Sequence, residues 1–279
     1  MKAKLDCIPC VLRQAVNAAR LSTDDEELIY RAIDGALETM RAVDLQDTPM
    51  AIGSQVHGIV GDITGEADPY LDLKRQSNEQ ALEMYPYLRE IVSGADDPLV
   101  TATKISIAGN IMDFGALDTF DVESTVQNAL ESDFAIDDFD ALKARLGPDA
   151  NVLFIADNAG EIVFDRVLME HLQTSEITVA VKSAPFINDA TLEDAKEAGI
   201  DGVARLIEVA PGAPNGDELD PAWEAADAII AKGQGNYEVF SEAEGPLFFL
   251  LIAKCECIAD DIGVNKGDTI LQSQETRQA

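Results

Sequence analysis

Apolar residues recur at helical spacing through the first half of the chain. Four acidic residues follow Thr23, and an apolar stripe then runs from Leu28 to Met40, as in an amphipathic helix with acids near its positive end. Three later helices are predicted where a capping residue precedes proline, at Thr48-Pro49, Asp68-Pro69 and Asp97-Pro98. The second of these helices is expected to kink or break at Pro86. No segment before residue 115 alternates as a strand does, so this half is predicted to be a helical bundle.

From residue 150 onward, short apolar runs alternate with helical segments. The runs are Val152–Ala156, Ile177–Val181, Arg205–Val209, Ala228–Ala231 and Leu247–Ile252. Helical segments are predicted over 161–172, 189–198 and 221–226. This βαβ alternation predicts an α/β fold with a parallel sheet and right-handed crossovers. The polar residues from Gly267 onward are expected to fray.

Composition restricts the class of protein. The chain has 279 residues, of which 47% are hydrophobic, so a sizeable core is expected. Its formal net charge of −32, from 52 acidic and 20 basic residues, argues against general binding to nucleic acid or to an anionic membrane. Molar salt screens such self-repulsion, because the Debye length then falls to about 3 Å. We therefore expect the salt-rich cytoplasm of a halophilic archaeon, with an acidic mesophile protein as the alternative.

No targeting or membrane segment is predicted. Asp6, Pro9 and Arg13 interrupt any apolar segment at the N-terminus, so a secretory signal is not expected. The apolar run from Leu247 to Ala253 is too short to span a bilayer. The sequence thus predicts a soluble cytoplasmic protein.

Candidate ligands follow the first predicted strand. Asp157 and Asn158 lie in the turn between Val152–Ala156 and the helix that begins near Glu161. Ligands bind outside the carboxyl ends of strands in open α/β sheets, and carboxylate and amide oxygens suit hard cations. The alternative is that Asp157 or Asn158 only caps the helix.

Two further strand ends carry polar residues. Asp189 follows the second predicted strand, and neighbouring parallel strands lie about 4.8 Å apart, so it could share an ion with Asp157. Alternatively, Asn188 or Asp189 caps the next helix. Lys232 ends the fourth strand between Ala231 and a Gly-Gln-Gly loop, whose backbone can approach an anion that the ammonium neutralises.

Together these segments resemble a known family. The three sequences 157-DNAGE-161, 188-NDAT-191 and 232-KGQGNYE-238 resemble the signature blocks of the DUF89 family, the metal-dependent damage-control phosphatases also called ARMT1-like. Blocks in the helical half are also similar, namely 68-DPY-70 with Lys74 and Asn78, and 109-GNIMD-113. The 7-CIPC-10 start resembles the prokaryotic branch that carries a CxxC motif.

The resemblance implies a fold, a reaction and a set of site residues. The implied fold is a helical N-terminal domain, residues 1–147, on a Rossmann-like three-layer domain with a mostly parallel sheet, residues 148–279. The implied metal ligands are Asp157, Asn158 and Asp189, with Asp157, Lys232 and Glu161 as catalytic residues. Lys232, Asn236, Asn110 and Asp113 are the implied substrate-binding residues. The implied substrate is a small phosphorylated metabolite.

The chemistry of these residue types agrees with that function. An all-oxygen ligand set suits Mg²⁺ or Mn²⁺, with Co²⁺ and Ni²⁺ as further ions to test. Direct attack by water is preferred to an aspartyl-phosphate at Asp157, because Ala159 stands where haloacid-dehalogenase-type phosphatases have their second Asp. His57 and His171 fall within predicted helices and are interpreted as structural, which argues against a Ser-His-Asp triad.

Two other functional classes fit the sequence less well. A non-catalytic module that binds a nucleotide or coenzyme is disfavoured because no G-x-G-x-x-G follows a predicted strand. A carboxyl methyltransferase is disfavoured because no clear loop for a methyl donor is present.

The chain has four cysteines in two close pairs, Cys7 with Cys10 and Cys255 with Cys257. Each spacing places both sulfurs on one face of its element. Together the pairs could hold a structural Zn²⁺ or an Fe–S cluster and join the N-terminus to the last strand. The alternatives are plain buried thiols or a redox disulfide.

Overall fold

A computed structural model of the protein describes residues 1–110, 122–174 and 176–278, without the side chains of 122–125 and 278. Within residues 1–110 the chain forms five helices. They are α1 (Cys7–Ser22), α2 (Glu26–Ala42), α3 (Pro49–Thr64), α4 (Leu71–Ser93) and α5 (Pro98–Gly109). The predicted caps at Thr48 and Asp97 are confirmed, since Thr48 accepts a hydrogen bond from Ala51 N and Asp97 accepts from Leu99 N and Val100 N. The cap predicted at Asp68 is wrong, because α4 begins later, at Leu71. Of the kink or break expected at Pro86, the break is wrong, because α4 continues past it to Ser93, and the kink stays a prediction.

The second half alternates strands and helices, as predicted. Its elements are α6 (Val122–Glu131), β1 (Ile136–Asp137), α7 (Phe139–Arg145), β2 (Asn151–Ile155), α8 (Glu161–Met169), β3 (Glu176–Lys182), α9 (Leu192–Glu197), a 3₁₀ turn (Ile200–Gly202), β4 (Arg205–Val209), α10 (Leu219–Ala225), β5 (Ala228–Lys232), α11 (Gly233–Phe240), β6 (Leu247–Ile252), α12 (Glu256–Ile262), β7 (Thr269–Ser273) and α13 (Gln274–Gln278).

The strands form a single seven-stranded sheet in the order β1-β7-β6-β5-β2-β3-β4. Every neighbouring pair is parallel except β6 with β7. β2 lies between β3 and β5, so that Val152 is in register with Ile177 on one side and Ala228 on the other. The strand order reverses at the β2–β5 pair, and open α/β sheets bind ligands at such a switch point.

Helices cover both faces of this sheet, which gives the expected three layers. On one face, Ile162, Phe164 and Val167 of α8 pack with α4, α5 and alternate residues of β2 and β3. On the other face, Tyr237 and Phe240 of α11 pack with residues of β5 and β6. Burial on both faces explains why the strands are continuous apolar runs and not alternating ones.

Two predictions in the second half are wrong. The tail does not fray from Gly267, because β7 pairs with β6 and its Ile270 and Leu271 are fully buried. The segment after Lys232 is not a loop, because α11 begins directly at Gly233. The proposed division at residue 147 stays a prediction; β1, which joins the sheet, lies ahead of it. Within the described residues, no helix is both long and apolar enough to cross a bilayer.

Candidate active site

The three predicted metal ligands meet at the carboxyl edge of the sheet. Asp157 and Asn158 follow β2, and Asp189 lies in the loop after β3. Backbone hydrogen bonds join the two loops: Ala159 N donates to the Asn188 carbonyl at 2.9 Å, and Asn158 pairs with Asp189 as an antiparallel bridge. Both carboxylates and the amide line one cavity of about 550 Å³. Ligation itself stays a prediction, but the fold supplies the convergence that it needs.

Two asparagine amides bridge Asp157 to Glu161. Asn158 Nδ2 donates to Asp157 Oδ2 at 2.7 Å and to Glu161 Oε2 at 2.9 Å. Asn110 Nδ2, at the end of α5, donates to the same two oxygens at 3.0 and 2.8 Å. Because the Glu161 carboxylate can only accept hydrogen bonds, it fixes the Nδ2 end of each amide toward itself and turns each Oδ1 atom the other way. Glu161 is thus placed to orient the candidate ligands.

Lys232 points into the protein. Its fully buried ammonium donates to Glu161 Oε1 at 2.8 Å, to the Ser106 carbonyl at 2.9 Å and to Asp165 Oδ1. Burial lowers the pKa of Lys232, but its two ion pairs outweigh this and raise the pKa above the usual value. Three partners occupy the three donors of the ammonium, so direct contact with a phosphate stays a prediction that this geometry does not favour.

Asn236 connects the ends of β2 and β5. Its Nδ2 donates to the Ala156 carbonyl at 2.9 Å and to the Lys232 carbonyl at 2.8 Å. Its Oδ1 accepts from Lys182 Nζ at 3.2 Å, and the same ammonium lies 3.7 Å from Asp189 Oδ2. These contacts give Asn236 a positioning role here, and substrate contact by it stays a prediction. Asp113, the remaining predicted substrate contact, lies outside the described residues.

Two glycines allow these segments to approach one another. Gly233 has φ +71°, and a Cβ there would lie 1.8 Å from Asp157 Oδ2. Gly160 has φ +76°, and its Cβ would lie 2.9 Å from Ser77 Cβ. The Gly160 N–H donates to Asn78 Oδ1 at 2.7 Å, which joins α4 to the turn before α8. Side chains at either position would displace the residues that line the site.

The site crowds negative charge into a buried volume. Burial raises the pKa of Asp157 well above its usual range, and the charges of Glu161 and Asp189 raise it further. Burial also raises the pKa of Asp189 to about 6, although Lys182 opposes this shift. The same cause raises the pKa of Asp165 to about 7 against the pull of its lysine partner. A cation between the carboxylates would relieve this repulsion.

The donor atoms fit a hard divalent ion. Asp189 Oδ2 and Asn110 Oδ1 are buried without a hydrogen-bond partner among the described residues. Such atoms are costly unless something binds them, and oxygen ligands are those that Mg²⁺ and Mn²⁺ take. Within the described ranges, no three His, Cys, Asp or Glu side chains already form a metal-binding group. A metal site with Asp157 and Asp189 would therefore need Asn158 as its third ligand.

Sequence reasoning missed several residues at the cavity. Lys254 lies just beyond β6 on the cavity wall, and its charge acts on Asp157. Glu238 also lines the cavity, and burial raises its pKa to about 8. The position of Lys254 at the carboxyl end of a parallel strand was the available signal, as it was for Asp157. Asp165 carried another signal, because it lies four residues after Glu161 on one helical face.

The chain is similar to known proteins along nearly its whole length. The model of a family described as the damage-control phosphatase ARMT1-like domain matches residues 3–270. The chain is 37% identical over 291 residues to a damage-control phosphatase of Archaeoglobus fulgidus, covering 99% of this chain and 100% of the relative. It is 33% identical to a damage-control phosphatase of Pyrococcus horikoshii, with 96% of each chain covered. The crystal structure of a DUF89 family protein from Pyrococcus horikoshii matches with a TM-score of 0.88 and 31% identity, covering 98% of this chain and 99% of that one.

Proposed function

Since the chain belongs to the damage-control phosphatase ARMT1-like family, we propose that it is a metal-dependent phosphatase that hydrolyses small phosphorylated metabolites. The observation that carries this proposal is the meeting of Asp157, Asn158 and Asp189 at the switch point of the sheet. Two buried carboxylates and a buried amide line this cavity, and Asp189 Oδ2 accepts no hydrogen bond from the described residues, although Lys182 lies 3.7 Å away. They form a ligand set suited to a divalent cation.

The ligands of the divalent ion are Asp157, Asn158 and Asp189. When bound, the ion supplies Lewis acidity to the phosphoryl oxygen and to the attacking water. Asn158 is held for this role by Glu161, which accepts one hydrogen bond from its Nδ2 at 2.9 Å and leaves Oδ1 for the ion. Asp189 is held by Lys182 and by the backbone pairing of its loop with the loop after β2.

Lys232 and Asp165 position Glu161. The Lys232 ammonium lies between the two carboxylates, and Ser106 Oγ adds a hydrogen bond of 2.6 Å to Asp165. A buried glutamate with both oxygens engaged is a rigid support for the two amides. In this proposal Lys232 acts through Glu161 and does not touch the substrate.

Lys254 is the cation that we assign to the substrate phosphate. It lines the cavity and is close enough to Asp157 for their charges to interact. A cation at this position would bind the phosphate and balance the charge that develops during its transfer.

We favour direct attack by water over a phosphoaspartate on Asp157. Both amide hydrogen bonds to the Asp157 carboxylate go to Oδ2, which fixes its orientation, and Ala159 offers no acid to protonate the leaving group. Rapid quenching and mass spectrometry of Asp157 peptides would detect a phosphoaspartate, which this route does not form.

The test is release of inorganic phosphate from a panel of metabolite phosphates in molar KCl. We expect activity with one or more of Mg²⁺, Mn²⁺, Co²⁺ and Ni²⁺, loss of activity with EDTA and recovery when the metal returns. Asp157→Asn should lose both activity and calorimetric metal binding while remaining folded. Activity that persists in EDTA, or in Asp157→Asn, would refute a metal-dependent mechanism.

Lys254 has a matched control. Lys266 lines the same cavity but is exposed. Lys254→Met should lower kcat/KM by about 10²–10³-fold, the usual effect of losing one charge-stabilising donor. Lys266→Met should change kcat/KM by less than about threefold, because solvent screens an exposed charge. Equal effects of the two substitutions would remove Lys254 from its assigned role.

A further inference from the structure

All four cysteines line the cavity of the candidate active site. Cys7 and Cys10 lie one turn apart at the start of α1, and Cys255 and Cys257 lie at the start of α12. The fold brings these segments, from opposite ends of the chain, to the same cavity wall. All four are free thiols in this structure.

Three of the thiols lie near one another across the two segments. Burial raises the pKa of the Cys257 thiol to about 12, and the nearby thiols of Cys7 and Cys255 raise it further. Cys7 and Cys255 pack as half-buried groups against the hydrophobic cluster that contains Cys257. Lys4 Nζ also donates to the Cys257 carbonyl at 3.0 Å, which holds the start of the chain against α12.

We propose that Cys7, Cys10, Cys255 and Cys257 bind a thiophilic divalent ion such as Zn²⁺, at a site separate from the oxygen ligands. Four sulfurs from two short segments supply the number and type of ligands that a tetrahedral structural zinc takes. The oxygen set at Asp157 suits a harder ion, so the two sites would select different metals.

Metal binding requires the thiol side chains to rearrange. Among the described residues, the thiols do not stand close enough together to form a closed metal-binding group. Cys7, Cys10 and Cys255 are only partly buried, so their side chains can change rotamer. The ion would then tie α1 to α12 and fix the backbone next to Lys254.

The thiol site can be tested without a phosphatase assay, by measuring the metal content and the absorption spectra of the protein. Protein purified under reducing conditions at high salt should hold about one zinc per chain by mass spectrometry of the metals. Replacement by Co²⁺ should produce the near-ultraviolet charge-transfer band of cobalt–thiolate bonds and the visible bands of a tetrahedral ion. Absence of zinc together with absence of these bands would overturn the proposal.

Variants distinguish the thiol site from the oxygen site. The double variant Cys7→Ser/Cys257→Ser, with one change in each pair, should lose the zinc and the cobalt–thiolate band. Asp157→Asn should keep both, although it removes a ligand of the oxygen site. Zinc retained at the wild-type level in the double variant would refute the proposal. Fewer than four titratable thiols in the denatured, metal-free protein purified without reductant would indicate a disulfide instead and would also refute it.

Discussion

Gly233 is the position at which one added methyl group should damage the site most. It begins α11 at φ +71°, and a Cβ there would lie 1.8 Å from Asp157 Oδ2. Ordinary van der Waals contact begins at 3.4 Å, so the carboxylate would have to move by roughly 1.6 Å. A shift of about 1 Å in a catalytic group can reduce the rate about 10²-fold. We therefore expect Gly233→Ala to lower kcat/KM for phosphate release by at least that factor.

The backbone conformation adds a separate cost, and a control isolates it. An alanine in the left-handed region costs about 1–2 kcal/mol. Gly65, the residue after α3, has φ +77° and open space around its Cβ position. Gly65→Ala should therefore lose about 1–2 kcal/mol in denaturant unfolding but keep its kcat/KM.

Comparison of the two variants in the same assays tests the reasoning. Gly233→Ala should be less stable than Gly65→Ala and should also lose affinity for the activating metal in calorimetry, because its displaced carboxylate is a proposed ligand. If the folded Gly233→Ala protein kept kcat/KM within threefold of the Gly65→Ala protein, Asp157 would not need the position that the structure gives it.

Three further predictions concern stability. Lys232→Met leaves the buried carboxylates of Glu161 and Asp165 without their lysine partner and should cost about 3–5 kcal/mol in denaturant unfolding. Lys143→Met removes an exposed ion pair and should cost less than about 1 kcal/mol. Similar losses in the two variants would contradict the buried network. Burial lowers the pKa of His57 to about 4, so between about pH 6.5 and pH 4 the unfolded chain binds a proton at this residue and the folded chain does not. The free energy of unfolding should therefore fall by up to about 3 kcal/mol as the pH drops from about 6.5 to about 4. His57→Gln should abolish this pH-dependent loss, whereas His171→Gln should not. With a net charge of −32, the free energy of unfolding should rise between about 0.1 M and 2 M KCl, and a salt-independent value would refute the halophilic interpretation.

Strand positions could be predicted well because the sheet is buried on both faces. β4 and β6 match the predicted apolar runs residue for residue, and β2, β3 and β5 differ by one or two residues. β7 was missed because only Ile270 and Leu271 among its five residues are apolar. α11 was missed because its Gly-Gln-Gly-Asn start has low helix propensity, which packing of the buried Tyr237 overrides.

The site could be predicted only as far as strand ends determine it. The rule that ligands gather at carboxyl ends placed Asp157 and Asp189 in one cavity. It also placed Lys232 at that edge but could not tell whether its ammonium faces the cavity or the core. Two acids four residues apart on α8, both fully buried, decide that direction. Their burial depends on packing between α5 and α8, which sequence alone did not reveal.

The neighbouring positions of β2 and β5 have a consequence for synthesis of the protein. As the polypeptide leaves the ribosome, β2, β3 and β4 can pair in order, but the other edge of β2 has no partner until residues 228–232 have been made. An apolar strand with an unpaired edge is prone to associate with other chains. The timing of translation, and not only the identity of the strands, therefore bears on how much folded protein a cell obtains.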